Sequence, residues 1–544
     1  MNCTSCGQKF EHMKVEIEGY KRLDTDLPTL CPKCRQHRRL AFRNEKHLHY
    51  NKSYLSGRKI IALYPEESPF RVIDQDEWWN DSFDASIYGR DYDFSRPFFE
   101  QFAELQKEVP RWPRIFVNCE NCDFTNNCAD CKDCYLTFSS YESENVHYGI
   151  RVYKSHNSLD CFHLYDSEYC SNCLSCRKCY NVHFSQLAEN SSDSFFLFDC
   201  KSCQNCILCA GLRQASYMIL NKQYTKEDYE AYRTEFLKKL NTGKAEIIKM
   251  FENLKNNIPH RNLQITSSEN CTGDYIGNAK NLEHCFYATN CEDCANLYSC
   301  YDMKTTCDGY QLDRGELCVD CDTSFETYNC AFTTYVGTSH FVTYADQCFY
   351  IDYCFGCIGL KRKKYMILNK QYTKEEYEIM LEKIKAHMKK TGEWGKPFPY
   401  KLSPFAYNQT VAIDSDPLTK EEALAKGYRW FDSKEEAKYF GQEYKIPESL
   451  DDVDESICNR ILVCEKTWKN YKIIPQEFEF YKKFNLPLPR TCPDERYKEL
   501  LALQNPHMLR DANCAQCGKL IQTSYKLNTP YKIVCEECYL KQRY

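Results

Sequence analysis

No stretch of this chain is long and apolar enough to cross a bilayer, and the mean hydropathy of -0.65 agrees. A membrane partner is therefore not expected. The opening Met1-Asn-Cys-Thr-Ser-Cys6 lacks the apolar core of a secretory leader, so the expected location is cytoplasmic. An excess of positive charge is missing as well. The formal charge is -6 and the isoelectric point about 6.2, which excludes a surface that is basic all over and leaves only a local patch for nucleic acid. Also absent are the strand, glycine loop and helix of a nucleotide-binding fold, and any paired carboxylates or Cys/His couple gathered in one cleft. His147, His156, His163 and His183 fall among repeats and read as rung or turn residues. The expectation leans to a non-catalytic protein, with no catalytic residue assigned.

Cysteine, by contrast, is abundant. There are 37, an odd number, which in a reducing compartment reads as metal ligands plus buried thiols and not as a disulfide framework. Aromatics make up 15% of the chain, with 42 Tyr, as strand-rich cores require. A length of 544 residues builds two to four domains. Between Cys119 and Cys357 lie 26 of the cysteines, in runs such as Cys170-Ser-Asn-Cys173-Leu-Ser-Cys176-Arg-Lys-Cys179. Short aromatic runs of strand length separate them, with Ser, Asn and Asp as turn formers. Strands this short cannot close a core locally and must stack on their neighbours; the expectation is a β-solenoid. Its cysteines have three readings: stacked interior filling, further zinc or iron–sulfur sites, or disulfides.

Two duplications organise the rest. Tyr217-Met-Ile-Leu-Asn-Lys-Gln-Tyr-Thr-Lys-Glu227 returns unchanged at Tyr365 to Glu375, 148 positions on. In each copy a Thr (Thr225, Thr373) is placed to cap a helix, so each solenoid half is expected to end in a docking helix. An earlier helix with Phe98, Phe99, Phe102, Leu105 and Val109 on one side is expected to cap the first rung. At an offset of 461 residues, 3–79 lie over 464–540 without a gap. Each copy is a module of two ribbons. The first ribbon is complete at the N-terminal side, with Cys3, Cys6, Cys31 and Cys34; the second at the C-terminal side, with Cys514, Cys517, Cys535 and Cys538. Paired C-x-x-C knuckles suit the tetrahedral preference of zinc, so two Zn2+ ions are expected, with further sites in the central block left open. Phe10, Tyr20 and Leu27 would pack around the first metal. The other two ribbons are degenerate: Thr467 and Glu495 replace two thiols in one, and Ser53, Ser56, Asp74 and Glu77 stand at all four positions of the other. Packing by Trp78 and Trp79 would offset that loss.

After Cys34 the chain turns basic. From Lys33 to Lys59 nine positive residues face one negative, Glu45. Arg35, Arg38, Arg39, Arg43 and Lys46 form a candidate phosphate-binding helix, with Tyr50 and Tyr54 near enough to stack bases. The acidic connector Asp74 to Asp93 is a candidate for neutralising that patch internally.

The N-terminal pattern C-x-x-C-G-x-x-F, Tyr20, Leu27-Pro28, C-P-x-C-R resembles a family of small probable zinc-binding domains found widely in bacteria. Arg38-Arg-Leu-Ala-Phe-Arg-Asn44, Asp93-Phe-Ser-Arg-Pro-Phe-Phe99, Tyr365 to Glu375, Leu402-Ser-Pro-Phe-Ala-Tyr407 and Cys535-Glu-Glu-Cys-Tyr539 carry a second resemblance. It covers the chain end to end and is to cysteine-rich zinc-ribbon proteins of candidate-phyla bacteria, some of which bear the CaiB/BaiF coenzyme A transferase label. These resemblances imply ribbons and zinc but no activity. The expected fold is mostly β with helices: duplicated zinc-ribbon modules flanking a two-part cysteine-rich β-solenoid with amphipathic capping helices. The expected divisions are 1–94, double-ribbon module; 95–265 and 266–391, solenoid halves; 392–460, linker; 461–544, second double-ribbon module. The expected function is zinc-dependent, non-catalytic binding of RNA, DNA or a ribonucleoprotein through the N-terminal ribbon. The alternatives are a protein scaffold using the solenoid face, and a redox or metal-cluster protein using the central cysteines.

Overall fold

The computed structural model describes residues 1–280, 282, 285–287, 309, 315–316, 319–320, 327–432 and 444–543. Cys291, Cys294, Cys300, Cys307, Cys318 and Cys321, part of the expected second solenoid half, lie outside these residues.

A period of three governs the first cysteine-rich array. From Asn118 to Leu220 every third residue has positive φ, and only one of them, Gly211, is glycine. The next residue along turns inward: from Cys122 to Cys209 every third side chain is buried. Such left-handed residues cost an ordinary side chain about 1–2 kcal/mol each, least for Asn and Asp. This is why Asn118, Asn121, Asn127, Asp130, Asp133, Asn145 and Asn157 sit there. The chain then pairs with itself in parallel, twelve residues on. Phe116 lies beside Cys128, Leu159 beside Ser171, and Ser192 beside Gln204. Twelve residues in steps of three give four inward positions per return. The polar left-handed residues bond up the same register: Asn118 Nδ2 donates to Asp130 (3.2 Å), Asn121 to Asp133 (3.1 Å) and Asn181 to Asp193 (2.8 Å).

Inside, thiols and hydroxyls satisfy the backbone. Cys173 Sγ donates to the carbonyls of Ser171 (3.4 Å) and Val182 (3.3 Å). Ser158 Oγ accepts the Cys170 N–H (3.2 Å) and Ser167 Oγ that of Cys179 (3.0 Å). Small side chains are needed because four of them share each level. A second array keeps the twelve-residue step, pairing His340 with Asp352 and Asp352 with Lys364, although its first pairing, Ile265 with Ile276, steps by eleven.

The duplicated string closes each array in the same way. The strand Ser216–Ile219 folds back antiparallel onto Lys222–Gln223, and Lys364–Ile367 onto Lys370–Gln371. At each reversal an asparagine with positive φ seals the previous level. Asn221 bonds the N–H and C=O of Ala210 (2.9 and 2.8 Å), and Asn369 those of Ile358 (2.8 and 2.7 Å). Thr225 and Thr373 then cap the helices Lys226–Asn257 and Lys374–Thr391. The first of these bends at Gly243. The acidic stretch near Asp451 forms two short 3-10 turns, Leu450–Asp452 and Glu455–Asn459.

The modules pack crosswise. The helix Phe98–Glu108, expected over the first array, lies on the second: Phe98 meets Tyr344 and Phe355, each with ring centroids 5.1 Å away. Arg111 pairs with Asp346 (2.8 Å), the Trp112 N–H donates to Gln347 (2.9 Å) and Trp78 packs on Phe349. The C-terminal module covers the first array. Arg496 pairs with Asp160 (2.9 Å), Tyr148 donates to Glu477 (2.9 Å) and Arg213 to the Tyr539 hydroxyl (2.6 Å). The expected linker is also packed. Both carboxylate oxygens of Glu393 accept the N–H groups of Phe98 and Phe99 at 2.8 Å, capping that helix. No helix among the described residues is long and apolar enough to cross a membrane.

Candidate metal centres

Two quartets of thiols converge, one near each end. In each of Cys3, Cys6, Cys31, Cys34 and Cys514, Cys517, Cys535, Cys538, all four sulfurs lie within 4.8 Å of one another. The two are built alike. A first knuckle turns at a glycine with positive φ, Gly7 (+73°) or Gly518 (+74°), with open space around it; the requirement is on backbone conformation. The second knuckle is the start of a helix. Cys31 is the N-cap of Pro32–Leu40, with proline in its first turn, and Cys535 immediately precedes Glu536–Arg543. Across the gap Cys6 Sγ lies 3.7 Å from Cys31 Sγ, and Cys517 Sγ 3.8 Å from Cys535 Sγ. The N–H of Cys31 points at Cys3 Sγ (3.3 Å), and that of Cys535 at Cys514 Sγ (3.2 Å).

These bonds set the charge of the site. Burial works against a thiolate at Cys3, but N–H groups of Cys31, Cys6 and Ser5 outweigh it and bring the thiol down to about 6. The same competition brings Cys514 to about 6. The last member of each group moves the other way: neighbouring thiols push Cys538 up to about 12, and burial, with neighbouring thiols behind it, raises Cys34. Cys3 and Cys514 are thus primed as thiolates, and a bound cation would displace the proton of any thiol that still carries one. Four sulfurs with one exposed member, Cys6 or Cys517, fit a closed tetrahedral ion with a path of entry. Of the side chains expected around the first quartet, Tyr20 is buried, Phe10 partly so, and Leu27 exposed.

At the positions that match the quartets under the 461-residue offset but lack thiols, side chains bond to one another. At the positions of the lost thiols in the N-terminal module, Ser53 Oγ donates to Glu77 and accepts the Asp74 N–H (3.1 Å). The Arg58 guanidinium reaches Asp74 (3.4 Å) and Glu77 (3.3 Å), so a side-chain cation pairs with both carboxylates. Trp78 is buried against Trp112, the rings 5.7 Å apart, as the expected packing compensation requires. Arg58 as the substitute cation went unread; the signal was two carboxylates in ligand positions facing an arginine in the hairpin. In the other degenerate ribbon Thr467 Oγ1 lies 3.8 Å from Cys492 Sγ, and Glu495 turns away to Lys498 (2.6 Å).

The expected phosphate-binding surface is not formed by its arginines. Arg35, Arg38, Arg39 and Arg43 are buried, none more than 6% exposed. Arg35 pairs with Glu16, Arg38 with Asp320, Arg39 with Asp320 (3.3 Å) and Arg43 with Glu45 (3.9 Å). Lys46 is bound to Asp414 (3.0 Å) and lies over the Tyr497 ring. Tyr50 and Tyr54 are exposed, but Lys59 and Arg71 cover their rings. The acidic connector neutralises only the end of the patch, Asp74 and Glu77 meeting Arg58; it does not reach the buried arginines, and its Asp84 and Asp91 pair with Lys363 and Lys370 of the second array. Histidines of the first array have structural partners. His147 and His183 bond Asn145 and Asn181 (both 2.9 Å), and His163 stacks on Tyr287 at 4.2 Å.

Set against models of protein families, curated proteins and solved structures, the chain matches none of them.

Proposed function

We propose that the chain is a zinc-stabilised, non-catalytic binding protein of the cytoplasm, and that its two thiol quartets are structural zinc sites. The observation that carries this is the twin geometry of the quartets: convergent sulfurs, a positive-φ glycine in one knuckle and a helix start in the other. All-sulfur ligation favours zinc over hard cations, and a closed four-ligand shell is structural in type. The modules are zinc ribbons in this reading, each with one ribbon that kept its metal. The two arrays are β-solenoids in this reading, supported by the constant twelve-residue parallel register and inward triplets of the first and by the same step from Ser339 to Ile367 in the second. Their exposed sides serve as a scaffold for a protein partner. That reading is favoured over nucleic acid because the arginines beside the first quartet are consumed by Glu16, Asp320 and Glu45.

Metal analysis of the purified chain tests the zinc assignment. Two zinc ions per chain are expected, one in Cys6→Ser or Cys517→Ser, and none in the double variant. A full complement in either single variant, or iron in place of zinc, would overturn it.

A further inference from the structure

We infer that the open end of the first array is a third metal site, for a soft monovalent cation such as Cu(I) held by two adjacent thiolates of the Cys119, Cys122, Cys131, Cys134 group. This goes beyond the two terminal quartets and uses none of their ligands.

Three observations carry the inference. First, cysteine is not spread evenly over the inward positions. At the start of the array, Cys119, Cys122, Cys128, Cys131 and Cys134 fill every inward position but Thr125. From Thr137 to Ser167 the inward residues are Thr, Ser, Val, Gly and Leu with Cys161 alone. Those residues fill the interior equally well, so filling does not require the cluster. Second, the register stacks four of the five thiols in two pairs. Glu120 pairs with Lys132 and Asp123 with Tyr135, which sets Cys131 on Cys119 and Cys134 on Cys122, one strand spacing of about 4.8 Å apart. Cys122 Sγ also reaches the Cys131 carbonyl at 3.5 Å. Third, this end is open. Cys119 is half-buried, and Val117, Asn118, Glu120 and Asn121 beside it are exposed, whereas the inward positions from Cys122 to Cys209 are closed.

The spacing selects the ion. Among the described residues only the terminal quartets bring four sulfurs within 4.8 Å of one another, so the mouth is not a preformed tetrahedral site. Soft monovalent copper prefers thiolates, and two sulfurs satisfy it. Binding displaces the protons of the two thiols and leaves a complex of charge -1. The Arg114 guanidinium, which faces Asp123 as well as Cys128, Cys119 and Cys122, offsets part of that charge.

The test uses the zinc-loaded full chain without oxygen. Cu(I) is supplied as its bathocuproine disulfonate complex, while a zinc indicator reports release. The expected result is withdrawal of one Cu(I) per chain with no zinc released, and protection of Cys119 from iodoacetamide in mapped peptides. Cys119→Ser with Cys122→Ser should weaken binding at least tenfold, and Cys161→Ser should not. Serine already fills both columns at Ser143 and Ser158, so the variants keep the fold. Copper taken up only as zinc leaves, equal affinity in the double variant, or alkylation of Cys119 undiminished by copper would each overturn the site.

Discussion

At the scale of single residues, the basic stretch shows how far a charge count can mislead. Arg38 and Arg39 share Asp320, which is 3% exposed; the acid that neutralises them is some 280 positions away, and no local pattern announces it. Removing one partner of a buried ion pair costs about 3–5 kcal/mol, because the other charge is left stranded. Arg38→Glu with Arg39→Glu should therefore lower the urea midpoint of unfolding by an amount worth at least ~3 kcal/mol. Lys52→Glu, at an exposed pair with Glu66, should cost under about 1 kcal/mol. Equal losses would mean that the arginines are not buried as described. A second residue-scale effect follows from histidine. Burial lowers His260 to about 4, and its ring is held between the Lys255 carbonyl (2.9 Å) and Tyr531 (4.2 Å). The unfolded chain takes up that proton near pH 6.5, the folded one only near 4. Stability is thus fully present above 6.5 and lost as pH falls toward 4. Chemical denaturation at pH 7 and pH 5 should show a smaller loss for His260→Gln than for the parent; an unchanged loss would exclude His260 as a contributor.

At the scale of elements, the helix starts at Thr225 and Thr373, the duplicated string and the thiol quartets could all be read from residue order, because each depends on neighbours within a few positions. The triplet period was legible too, in Cys170-x-x-Cys173-x-x-Cys176-x-x-Cys179, but propensity hides it. Half of its left-handed positions carry residues such as Phe124, Leu136, Tyr148 and Arg151, which a turn reading does not place there. Only register with the next level, twelve residues on, supplies the packing that offsets the strain. The same reasoning gives the asparagine caps a measurable weight. Asn369 makes both bonds to Ile358 while held at φ +64°. Asn369→Gly keeps the conformation and loses the bonds, for about 1–3 kcal/mol; Asn369→Ala adds a further ~1–2 kcal/mol of left-handed strain. Amide exchange at Ile358 should accelerate in both variants, more in the second. If glycine cost as much as alanine, the strain would not be real.

At the scale of the whole molecule, crosswise packing makes the two halves interdependent. Phe98, Phe99 and Phe102 come from the N-terminal side and bury against Tyr344, Phe355 and Phe398. Tyr169 and Tyr148 of the first array are covered by Lys483, Phe484 and Arg496 of the C-terminal module. A cut between residues 257 and 258 would leave each half with a metal quartet and an array, yet without the module that covers that array. Exposed aromatic faces of that kind associate with whatever is complementary, and here the complement is the other half. Each half expressed alone should be rapidly proteolysed and should bind an apolar dye. The two expressed together should elute as a one-to-one complex with the stability of the intact chain, less the advantage of the covalent link. Zinc alone should not rescue either half, since a quartet orders its ribbon and not the flank of an array. Two halves that each resist protease as monomers would show instead that every module folds on its own, and the buried Arg111–Asp346 and Arg496–Asp160 pairs would then be contacts made after folding and not conditions of it.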